Sequence, residues 1–134
     1  QTVADIRYVT NGAYISTIRD FEQQPVLPEY ESYMNRVKEM ANKFDVCTNA
    51  VKEANNQELH DFVARRLMEM AADTIMCHLL MQDATNRPDL FAKSLNVYVN
   101  YAEAEVEKHF NFIRKFTAEQ LDSYRQTAVE TSAE

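Results

Sequence analysis

Residues 89–116, DLFAKSLNVYVNYAEAEVEKHFNFIRKF, decide how the rest of the chain is read. Leu95, Val99, Ala102, Val106, His109, Ile113 and Phe116 recur at steps of four and three. That spacing places side chains on one face of an α-helix. The stripe carries one ionisable residue, His109, with Glu105 one turn before it. Such a helix is either the wall of a bundle or an active surface.

The flanking segments favour a bundle. From Glu29 to about Ala54, apolar residues fall at Tyr30, Tyr33/Met34, Val37, Met40/Ala41, Phe44, Cys47 and Val51, while Glu31, Arg36, Lys38, Glu39, Lys43 and Lys52 form a charged opposite face. After the polar link Asn55-Asn56, a further helix is expected from Gln57 to about Gln82. Its first half carries a stripe of Leu59, Phe62/Val63, Leu67 and Met70. Its second half is apolar on nearly every side. A helix apolar all round packs against several neighbours, and any surface left over marks a partner. Ile75, Met76, Leu79 and Leu80 are therefore the candidate interface.

Breakers set the boundaries. Pro25 and Pro28 end the first segment, and Pro28 and Pro88 each suit the first turn of a helix. In that first segment Asn11-Gly12 signals a hairpin, but Tyr14, Ile18 and Phe21 follow helical spacing, and helix is preferred. Residues 83–88 read as a loop. Thr117 and Gln120 fit a capping box with Phe116 and Leu121 as a staple, so a short fifth helix is expected there, fraying after Thr127. The expected fold is all-α: an up-down antiparallel four-helix bundle with a short extra C-terminal helix. Residues 1–134 form one domain, with 1–24 as first segment and 29–127 as bundle core.

Composition narrows the function classes. The chain has 134 residues, 46% hydrophobic, with one Gly and three Pro, which argues against disorder and against turn-rich sheet folds. A single glycine also leaves little backbone to cradle a phosphate. A net charge of −7 disfavours nucleic acid and anionic membranes as partners, and no apolar run is long enough to span a bilayer. A start at Gln1 without a leader suits a segment of a longer chain, and processing of a full-length protein would explain it equally well; a cytoplasmic location is expected. Cys47 and Cys77 read as buried reduced thiols.

Tests for chemistry remove most of it. Di-iron bundles need Glu-x-x-His on two helices, yet Gln57, Ile75 and Val106 stand three residues before His60, His78 and His109. Cys77 and His78 point about 100° apart on a helix and cannot act together. Glu105 with His109 is the one acid–imidazole pair at i, i+4 on an apolar stripe, capable in principle of acid–base work. A bundle histidine with satisfied partners is the plainer reading. His60 reads as solvated near a helix start. Arg65 and Arg66 could hold an anion, or pair with an acidic neighbour.

Residues 62–72 (FVARRLMEMAA), 79–84 (LLMQDA), 97–106 (VYVNYAEAEV) and 112–116 (FIRKF) together resemble the helical C-terminal domain appended to a group of bacterial acyl-CoA dehydrogenases. The resemblance covers most of residues 30–125. It implies a non-catalytic appendage that braces the flavoenzyme core or its oligomer. FAD and acyl-CoA would be bound by upstream domains, and an upstream carboxylate would take the substrate α-proton. It implies upstream acyl-CoA dehydrogenase domains and a homo-oligomer as partners. No cofactor, no metal and no catalytic residue falls within this segment. The alternative is a free-standing helical-bundle protein binding a partner helix or an acyl chain in an apolar groove.

Overall fold

Gly12 opens the first helix from the left-handed region, at φ 94°, a conformation open to glycine without steric cost. Helix α1 then runs Ala13–Phe21 and buries Ile18. The computed structural model describes residues 12–133, with side chains from Gly12 to Glu119. The second half of the possible hairpin, residues 13–17, is thus helical, and its first half lies outside the described residues.

A 3-10 turn, Pro28–Tyr30, leads into α2, Glu31–Ala54. Asn55 ends α2 in the left-handed conformation at φ 46°, and its N–H donates to Lys52 O, the common way to stop a helix without glycine. Asn56 then caps α3, Gln57–Asn86, by accepting from Leu59 N at 3.1 Å. Helix α3 continues through most of the expected loop. Only Arg87 separates it from α4, Pro88–Ala133.

Helix α4 corrects the expected architecture. It is one helix of 46 residues, about 69 Å at 1.5 Å per residue. There is no break at Phe116–Thr117 and no separate fifth helix among the described residues; the helix runs past Thr127 to Ala133. The side chain of Leu121, the expected staple partner of Phe116, lies outside the described set. The reason is packing. Thr117 is 5% exposed and extends the stripe of Val106, His109 and Ile113, so it stays helical instead of capping. No Gly or Pro follows Pro88 to interrupt the backbone. Phe116, placed in the stripe by its spacing, is only half-buried. Its ring instead stacks on Phe62, centroids 4.4 Å apart.

Cross-helix contacts set the directions. Tyr33 to Asn96, Arg36 to Asn100 and Glu103, and Lys43 to Glu107 rise together in number, so α2 and α4 run parallel. Arg66 with His109 and Tyr98 with Asp73 fall in opposite order, so α3 runs antiparallel to α4. This is the up-down-up order of three long helices joined by short links. Short α1 lies on α3 and α2, held by Arg19 donating to Asn42 at 2.8 Å and by Phe21 stacking on His78. The core between the long helices is built on Phe44, Met40, Leu67, Met70, Leu95 and Ile113. Four helices pack together with no strand among the described residues.

Candidate functional site

The last half of α3 presents more apolar surface than its neighbours cover. Its buried face (Met70, Thr74, Cys77, His78, Met81) turns toward the other helices. Ile75 and Leu80 flank that face, half-buried against the core. Met76 and Leu79 stand on the far side, 45% and 41% exposed. The four candidate residues thus divide: two seal the edges of the core and two form a ridge facing solvent.

Helix α4 carries exposed apolar residues of its own. Leu80, Lys93, Ser94, Val97, Tyr98 and Tyr101 line a groove of about 600 Å³ between the two helices. Val97 is 67% and Tyr101 54% exposed. Tyr98 lies deeper, its hydroxyl donating to Asp73 Oδ1 at 3.1 Å. Burial pushes the Tyr98 hydroxyl pKa up, and the adjacent Asp73 carboxylate pushes it further. Burial likewise raises Asp73, against the lowering effect of the Tyr98 bond. Val97, Tyr98 and Tyr101 lie off the stripe of Leu95, Val99 and Ala102, so helical spacing gave no signal for them as groove residues.

The structure does not bring Glu105 and His109 together as a pair. Glu105 accepts from Lys108 at 3.0 Å. His109 is 3% exposed and faces α3. Its Nδ1 lies 3.1 Å from Arg66 Nη1. A guanidinium only donates, so Nδ1 accepts and the imidazole proton sits on Nε2. Nε2 is 2.9 Å from Glu69 Oε2, but off the direction needed for a hydrogen bond, and remains without a partner. Burial pushes the His109 pKa down; Glu69 opposes this, while Lys108 and Arg66 add to it. His109 is thus held as a neutral imidazole between α3 and α4.

The other reactive side chains are placed structurally. His60 donates from Nε2 to Val51 O at 2.8 Å, pinning the start of α3 to the end of α2 instead of standing in solvent. His78 is buried with Nε2 unpartnered, and burial pushes its pKa down to about 4. Cys47 and Cys77 are buried and free, and burial pushes each thiol up to about 12. Arg65 pairs with Glu69 at 3.2 Å, while Arg66 lies over the Phe112 ring at 3.8 Å. No group of three His, Cys, Asp or Glu among the described residues is arranged to hold a metal ion. No helix among them is long and apolar enough to cross a membrane.

Comparison with known proteins places this geometry. The family model described as acyl-CoA dehydrogenase C terminal matches residues 10–121. The crystal structure of an acyl-CoA dehydrogenase family protein from Porphyromonas gingivalis superposes with a TM-score of 0.78 at 39% sequence identity. That match covers 83% of this chain and 96% of the other. No curated protein matches. The matched region contains the ridge, the groove and the whole α3–α4 seam, and the chain belongs to the acyl-CoA dehydrogenase C-terminal family.

Proposed function

We propose that this chain is a non-catalytic helical domain of an acyl-CoA dehydrogenase, bracing the flavoenzyme core or its oligomer through the α3–α4 ridge. The observation that carries the reading is the exposed apolar surface of Met76, Leu79, Val97 and Tyr101, in a chain of this family. Exposed large apolar side chains on two packed helices of a water-facing domain suit an interface. The bracing surface joins the polypeptide's upstream domains or a second subunit.

FAD belongs to the upstream domains in this reading. The pyrophosphate of a dinucleotide needs close backbone approach, which several glycines normally supply. Gly12, the single glycine, opens a helix with no heavy atom near where a Cβ would stand. The residues here do not fit a flavin cradle, and no step of the dehydrogenation is assigned to them.

A second reading, a free-standing interaction protein receiving a partner helix or an acyl chain, draws on the groove between Leu80 and Tyr101. Purification of the full-length gene product separates the two. A yellow protein with acyl-CoA dehydrogenase activity supports the bracing role, provided that Met76→Glu with Leu79→Glu lowers its oligomer mass or flavin retention. A colourless product consisting of this domain alone would sink the bracing role.

A further inference from the structure

Among the arginines with described side chains, Arg19, Arg36, Arg65 and Arg87 each pair with a carboxylate. Arg66 and Arg114 pair with none among the described residues. Arg114 is exposed, over the Phe110 ring at 5.4 Å. Arg66 is different: its guanidinium is fixed from two sides, by the Phe112 ring at 3.8 Å and by donation to His109 Nδ1 at 3.1 Å. Stacking satisfies the face of a guanidinium and leaves its N–H edge open, and one bond to His109 uses one of five donors. A fork held this way is ready for a planar or tetrahedral oxyanion.

The surroundings fit that use. Arg66 lines a pocket of about 320 Å³ with Phe62, Arg65, Glu69, Lys108 and His109; Arg65 is paired there with Glu69 and Lys108 with Glu105, which leaves Arg66 as the cation without a carboxylate. Buried His109 Nε2 carries a proton and lacks a hydrogen-bond acceptor. Glu69 brings a carboxylate to the edge of this pocket: one oxygen accepts from Arg65 Nε at 3.2 Å, and the other lies 2.9 Å from His109 Nε2 without accepting from it. Glu69 is itself part-exposed on a flexible stem, so it can leave.

We propose that this pocket is an oxyanion site, taking the carboxylate or phosphate group of a small ligand on the free edge of Arg66. Glu69, paired with Arg65 and lying beside His109 Nε2, is the internal carboxylate that the ligand displaces. Arg66 and the Met76–Leu79 ridge occupy different stretches of α3, so ligand binding and bracing can be read separately.

The test uses the 134-residue chain with inorganic phosphate and acetate as probes at constant ionic strength near pH 7.5, and chloride as the baseline. Saturable shifts of the Arg66 Nε–Hε and His109 ring resonances are expected, and the tighter probe identifies the head group. Arg66→Lys keeps the charge but loses the fork, and should weaken binding about tenfold or more. Glu69→Gln should tighten it, because it removes the competing carboxylate, while Arg114→Gln should change nothing. Circular dichroism confirms that each variant is folded. Shifts no larger than with chloride overturn the proposal, as do unchanged affinity in Arg66→Lys or no tightening in Glu69→Gln.

Discussion

Two histidines sit in the interior as neutral rings, and this gives the domain a pH dependence. His78 is held down to about 4 by burial, below the ordinary value near 6.5 that it regains on unfolding. His109 is shifted in the same direction. A group whose folded pKa is depressed binds its proton more readily when unfolded. Its stabilising contribution is therefore full above about pH 6.5 and falls as the pH drops toward 4. Urea titrations from pH 7.5 to 4.5 should show a falling midpoint. His78→Phe, which keeps a ring against Phe21, should flatten that slope. A slope unchanged by His78→Phe would place the pH dependence elsewhere. The thiols allow a second residue-scale test. With Cys47 and Cys77 pushed up to about 12 and buried, neither should react with a disulfide reagent at neutral pH until urea unfolds the chain.

At the scale of elements, Thr117 distinguishes two accounts of α4. As the cap of a separate helix its hydroxyl would be needed, and losing it would cost about 1 kcal/mol. Inside a continuous helix that hydroxyl is buried without a partner, and Thr117→Val should stabilise by roughly 1 kcal/mol. A thermal melt decides by the sign of the change. Asn56 is the contrasting case, because its side chain does cap α3. Asn56→Ala should cost about 1 kcal/mol by denaturant titration. These two sites also mark how far local signals reach. Breakers and stripes located α2, α3 and the start of α4, since helical spacing and proline are local properties. The capping box at Thr117 was a local signal overruled by burial, and the loop at residues 83–86 was absorbed into α3. Nothing in the short-range pattern at either place opposes helix strongly.

For the whole molecule, the decisive contrast is between surface that closes the core and surface left over. Phe44, fully buried among the long helices, should cost about 3–5 kcal/mol as Phe44→Ala. Met76→Glu with Leu79→Glu should leave the melting temperature of the 134-residue chain nearly unchanged, because exposed substitutions usually act within about 0.5 kcal/mol. A large loss of stability there would mean that the ridge belongs to the core and not to an interface. The sequence by itself determined an all-helical chain, its stripes and the family it resembles, because periodicity, breakers and residue order are written along one dimension. Only the tertiary structure decided that Met76 and Leu79 stay exposed while Ile75 and Leu80 do not. It also decided that His109 turns to Arg66 and Glu69 rather than to Glu105, and that α4 runs unbroken. Each of those outcomes depends on which side chains a neighbouring helix brings across the seam, and spacing within one helix carries no information about that.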